Sequence, residues 1–264
     1  DDDIHILKAL LQIMEDLDVR VGEVVGALPN DVAKNTIIIF TSDHGDFAGA
    51  HGMVSGKTGT VYDEVIRVPL IFVDPSGRYT GDIDTVRTGM SAHVDFLPML
   101  VSIGHGGNWS WMKGDLKALY GTRHDLLPML KSAKAPGRKY VVHSCDEVIT
   151  PSGNFLSAPW HVTGLITPRG KFGLYSFWDA GTATLNVESQ QTEYYDYSTE
   201  GGRLEIENTA NSAAARRANR LLQTTLIPTQ LRRPMPPRYV PVEMDARKTD
   251  LAFYALATGT VGSA

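Results

Sequence analysis

The stretch Thr36-Ile37-Ile38-Ile39-Phe40-Thr41 runs through four successive apolar residues without alternation. A strand with one face in water alternates apolar and polar side chains, so a continuous run implies burial on both faces, the pattern of a central parallel strand. Directly after it come Ser42-Asp43-His44-Gly45-Asp46, which place a carboxylate and an imidazole where a buried strand ends. The ends of strands are where α/β proteins build sites.

The flanking pattern agrees with an α/β sheet. From Ile4 to Leu28, Leu7, Leu10, Leu11, Met14, Leu17, Val21, Val24, Val25 and Leu28 follow the three-to-four spacing of one helix face, and Pro29 and Asn30 end it. A glycine-rich loop spans Gly45 to Gly59, a short helical stretch lies near Tyr62 to Ile66, and Val68 to Val73 reads as a second buried strand. Ala92 to Ile103 reads as a helix with Pro98 in its first turn. After the glycines at 104, 106 and 107 the signal changes to short strands at Tyr140 to His143, His161 to Ile166 and Lys171 to Phe177, which predict a small antiparallel sheet. Ala213 to Leu226 has helical periodicity, and the five prolines at 228, 234, 236, 237 and 241 predict an extended surface tail. The expected fold class is α/β: part of a mixed, largely parallel sheet with flanking helices over residues 1–135, then a small antiparallel α+β subdomain and tail over 136–264.

The formal charge of −5 and the lack of a basic stretch argue against nucleic acid as a ligand. No run approaches the roughly 18 apolar residues of a membrane span, so no membrane partner is expected. The single cysteine, Cys145, forms no internal disulfide and fits a reducing, cytoplasmic location, with periplasmic or secreted placement as the alternative.

Asp43 offers a hard oxygen and His44 a borderline nitrogen, a pair able to hold a divalent cation, while Gly45 lets the backbone turn beside them. The plainer reading of the same residues is a turn whose aspartate caps a helix. Gly52-Met53-Val54-Ser55-Gly56-Lys57-Thr58 nearly forms a phosphate-binding loop, but His51 stands where its first glycine belongs and no strand runs directly into it. Glu64 and Arg67, three apart, suit a helix-surface salt bridge rather than catalysis. His93, His124, His143 and His161 lack ligand spacing and read as structural.

Taken together, Asp43-His44-Gly45, Gly49-Ala50-His51-Gly52, Lys57, Tyr62-Asp63-Glu64 and Arg67-Val68-Pro69-Leu70 resemble, in order and spacing, a sulfatase of the alkaline phosphatase superfamily. The resemblance extends to Leu17-Asp18-Val19-Arg20-Val21-Gly22, to Ser91-Ala92-His93-Val94-Asp95-Phe96-Leu97-Pro98 and to Glu193-Tyr194-Tyr195-Asp196. It implies a catalytic α/β domain in which Asp43 and His44 are metal ligands and Lys57 is a catalytic and substrate-binding group that contacts the sulfate. His51 is a further candidate substrate contact, although it fits a packing role beside the loop equally well. The implied cofactor is a divalent metal, calcium first, with magnesium or manganese as alternatives. The implied substrate is a small-molecule sulfate ester; phosphonate monoesters or phosphodiesters suit the same donors, and a non-catalytic remnant or interaction module is the alternative of another class.

Such enzymes carry a nucleophile made by converting cysteine or serine to formylglycine within Cys/Ser-x-Pro-x-Arg. Cys145 is followed by Asp146-Glu147-Val148, and Ser157-Ala158-Pro159-Trp160-His161 ends in histidine, so neither fits. The expectation is that the chain is the carboxy-terminal part of a sulfatase, with formylglycine on a missing amino-terminal half that would be its principal partner; a homo-oligomer remains open.

Overall fold

The computed structural model describes residues 2–53, 56–57, 59–146, 161–179, 184–232, 235–246 and 248. Four residues of the Ser157 to His161 stretch lie outside them. The chain divides into two compact units, each assembled from separate segments: Asp1–Lys57, Tyr62–Gly89 and Leu126–Pro136 in the first, Thr58–Val61, Met90–Asp125 and Gly137–Ala264 in the second.

The first unit opens with the expected amphipathic helix, Asp2–Gly26. It is followed by β1 (Ile38–Thr41) and β2 (Leu70–Val73), which pair with each other from Ile38 opposite Val73 to Thr41 opposite Leu70. The pairing is antiparallel, and the largely parallel sheet expected around β1 is not seen among the described residues. An unbroken apolar run does not specify the direction of the neighbouring strand, and the burial on both faces expected from it is not found in β1 or β2. In the structure β1 is only half-buried, and Leu70, Ile71 and Val73 of β2 are exposed. Leu7, Leu11, Met14 and Val24 along the first helix are exposed as well. Within this unit Arg87 donates to the carbonyls of Asp82, Thr85 and Met129, tying the 82–87 turn to the helix Leu127–Lys131.

The second unit is built on a four-stranded antiparallel sheet, β3 (Val141–Asp146), β4 (His161–Thr167), β5 (Gly170–Trp178) and β6 (Leu185–Asp196), paired in that order. Three of these strands match the expected sheet. The fourth escaped the sequence reading because its run from Asn186 to Glu193 is almost wholly polar. Leu165, Phe172, Leu174 and Tyr194 on one face bury Ala215, Leu222 and Leu226 from the carboxy-terminal helix. That helix, Ala213–Leu221, does not pass into an extended tail: it continues as a π-helix over Leu222–Leu231 with Pro228 inside. Burying Leu222 and Leu226 contributes about 2 kcal/mol each, enough to offset the hydrogen bond Pro228 cannot make in a widened turn. Pro234 lies outside the described residues, and Pro237–Tyr239 is a 3-10 turn rather than an extended segment.

Among the described residues, two ion pairs withdrawn from solvent fix the second unit. Asp95, fully buried, accepts from the Arg138 guanidinium and from the backbone amide of His124, tying the 90–125 segment to the approach to β3. Lys171 on β5 pairs with Glu205, both buried. Removing one member strands its partner in low dielectric, so Lys171→Met is expected to lower unfolding free energy by about 3 to 5 kcal/mol. Denaturant unfolding measures it, and a loss below about 1 kcal/mol would show that the pair is relieved by solvent.

Candidate metal and anion site

β1 delivers the chain into a turn held by its own side chains. The Ser42 hydroxyl donates to the His44 carbonyl at 2.6 Å, and the His44 amide donates to Asp43 Oδ1 at 2.9 Å. Gly45 N–H donates to the Val65 carbonyl at 2.8 Å, docking the turn against the short helix Asp63–Ile66. The approach is close enough that a Cβ at Gly45 would lie 1.9 Å from the Glu64 carbonyl oxygen. Backbone cannot give way as a flexible side chain can, so Gly45→Ala must part the turn from that helix. A loss of about 3 kcal/mol is expected on thermal unfolding, and a near-neutral change would mean that the turn and helix are not docked as described.

Within the turn the two candidate ligands converge. His44 Nδ1 lies 2.7 Å from the Gly45 carbonyl; a carbonyl only accepts, so Nδ1 carries the proton and Nε2 keeps its lone pair. Nε2 stands 3.3 Å from Asp43 Oδ2. The His44 amide, aided by the imidazole and the Ser42 hydroxyl, holds the Asp43 carboxyl below the usual carboxylate range, so it is ionised at neutral pH. Two lone-pair atoms that close repel unless a cation, whether a proton on Nε2 or a metal ion, lies between them. The residues therefore fit a metal: ligand bonds of about 2.0 to 2.6 Å to one ion accommodate donor atoms at this separation.

The loop that follows ends at Lys57, which is exposed. His51 adopts a left-handed backbone (φ 55°), stacks on Tyr62 with ring centroids 3.9 Å apart, and places Nε2 3.2 Å from Glu64 Oε2. Glu64 thus pairs with His51, correcting the expected Glu64–Arg67 pair; Arg67 reaches Asp63 instead, at 3.5 Å. Asp63 and Arg67 are four apart on one helical turn, a spacing the sequence already contained. The thirteen-residue separation of His51 and Glu64 gave no such local signal. Asp43 and His44 are brought together, His51 is brought to Glu64 and Tyr62, and Lys57 is set at the end of the same loop. His161, read as structural, pairs with Asp146 across β3 and β4 at 2.5 Å.

A family model described as Sulfatase matches residues 1–106, the segment that contains this turn and loop. Over that segment the chain is similar to the sulfatase family. An uncharacterized sulfatase of Escherichia coli K12, YidJ, is 37% identical over 87 residues, covering 33% of this chain and 16% of that protein. Among solved structures, a phosphonate monoester hydrolase from Silicibacter pomeroyi superposes with a TM-score of 0.57 at 22% identity, over 82% of this chain and 39% of the other. A protein solved with its substrate D-glucosamine-2-N,6-O-disulfate gives a TM-score of 0.57 at 25% identity, over 79% and 38% of the two chains. The chain thus spans less than half the length of each of these proteins, and at 22% identity the hydrolase likeness shows the fold alone.

Proposed function

We propose that the chain supplies the metal-binding and anion-binding part of a sulfate-ester hydrolase, with Asp43 and His44 as metal ligands and Lys57 as the charge that meets the ester oxyanion. The observation that carries this reading is the 3.3 Å approach of Asp43 Oδ2 and His44 Nε2 at the end of β1. A bound divalent ion, calcium first and magnesium or manganese otherwise, would supply Lewis-acid stabilisation of negative charge on the ester. Asp43 and His44 hold their donor atoms in fixed directions through the Ser42 and Gly45 bonds, so little reorganisation is needed on binding. Lys57 presents a compact charge on a long stem, suited to a nonbridging sulfate oxygen. His51, held by Tyr62 and Glu64, lends a substrate-facing donor beside the loop.

The nucleophile, expected as formylglycine, would come from further polypeptide not contained in these 264 residues. The exposed apolar residues of the first helix and of β2 support this, because an apolar surface of that kind normally packs against something. The substrate is a small sulfated molecule; the sulfated sugar held by the relative with 25% identity makes a sugar sulfate the first candidate. The complete gene product should be assayed against D-glucosamine 6-sulfate, an aryl sulfate and an aryl phosphonate monoester. Preferential release of sulfate supports the proposal, preference for the phosphonate moves the chain to the phosphonate monoester class, and no hydrolysis of any of them leaves a non-catalytic module.

A further inference from the structure

We propose that Asp46 is a positioning residue that sets where Lys57 stands relative to the Asp43–His44 pair; this rests on the reading of Lys57 as the anion contact. Asp46 lies two residues beyond His44, and its carboxylate spans the loop that separates the two halves of the site. Oδ1 accepts from the Ala48 amide at 2.8 Å, and Oδ2 accepts from the Gly56 amide at 2.9 Å, one residue before Lys57. The Gly56 carbonyl in turn accepts from the Phe47 amide at 3.1 Å, so residues 46–48 and 56 are joined in both directions. Phe47 is buried and anchors the near side of this neck. On the far side Gly56 has φ +102°, a backbone turn unsuited to a side chain, immediately ahead of Lys57.

The consequence is geometric. The two carboxylate bonds tie the backbone immediately before Lys57 to the strand end that carries the metal pair. Asp46 is itself exposed, so its bonds contribute little to the core and their effect falls on where the loop closes. Misplacing a catalytic charge by about 1 Å can cost on the order of a hundredfold in rate, and loss of one of the two carboxylate bonds should cost roughly tenfold.

A double-mutant cycle in the complete gene product tests this, with kcat/KM on an aryl sulfate for Asp46→Asn, Lys57→Ala and both together. Asp46→Asn should lose roughly tenfold alone and less than about twofold in the Lys57→Ala background, because a residue that acts through Lys57 has nothing left to position. Hydrogen exchange at the Gly56 amide should quicken at least about tenfold in Asp46→Asn while the β1 amides stay unchanged. Losses that multiply, or a Gly56 amide that exchanges as before, overturn the proposal. Lys57→Ala with near-normal activity would instead sink the anion-contact reading, and the positioning claim with it; the single variant alone reveals that case. Should Asp46→Asn fail to fold, Asp46→Glu, which keeps the charge but lengthens the clamp, goes through the same cycle with the same outcomes.

Discussion

Lys57→Ala in the complete enzyme is expected to lower kcat/KM about a hundredfold while leaving the thermal midpoint nearly unchanged. The two halves of that expectation have separate causes. Lys57 is exposed, so removing it opens no cavity and orphans no buried partner, and surface changes of this kind fall within about 0.5 kcal/mol. The rate effect arises because a substrate that docks over the loop excludes water there, and a positioned positive charge then contributes about 3 kcal/mol to a transition state with growing charge on the departing oxygen, roughly two decades in rate. Steady-state kinetics and a melting curve on one preparation measure both. A variant within about threefold of the parent would return Lys57 to an ordinary surface charge.

The second large effect concerns the 264 residues by themselves, which are expected to show no metal-dependent turnover of aryl sulfates or aryl phosphodiesters. They contain no Cys/Ser-x-Pro-x-Arg sequence, and Cys145, followed by Asp146-Glu147-Val148, does not replace it. Without a nucleophile there is no covalent route, and two ligands from one turn compete poorly with water for a hard cation, so the electrostatic route is weak as well. The two losses are coupled, since the metal acts on the group the nucleophile attacks. Exposed Leu70, Ile71 and Val73 on β2 should also make the isolated chain prone to association. Robust turnover by a purified product of verified length would contradict this.

How much of this was legible beforehand follows from the range of each interaction. The first helix, β1 and three strands of the antiparallel sheet announce themselves through periodicity or continuous apolar runs, and Asp43-His44-Gly45 through its place after a strand. The antiparallel direction of β2 was not legible, because Leu70-Ile71-Phe72-Val73 fits either neighbour. β6 hid because Asn186 to Glu193 are mostly polar and are held by backbone pairing with β5 rather than by burial. The carboxy-terminal prolines misled because Leu222 and Leu226, packed under the sheet, override the local preference of Pro228. In the site, the partners of Asp46 and Glu64 were missed for one reason: Gly56 and His51 lie ten or more positions away and only the folded loop brings them near.

The most direct test of the account measures aryl sulfate hydrolysis by the complete enzyme before and after chelation, with calcium, magnesium or manganese returned, for the parent and for Asp43→Asn. Asparagine keeps the size of the side chain but removes the anionic ligand. Chelation is expected to abolish turnover, at least one of the three ions to restore it, and Asp43→Asn to be restored far less at the same ion concentration. Turnover indifferent to chelation, or an Asp43→Asn enzyme restored like the parent, would contradict a metal site at the end of β1.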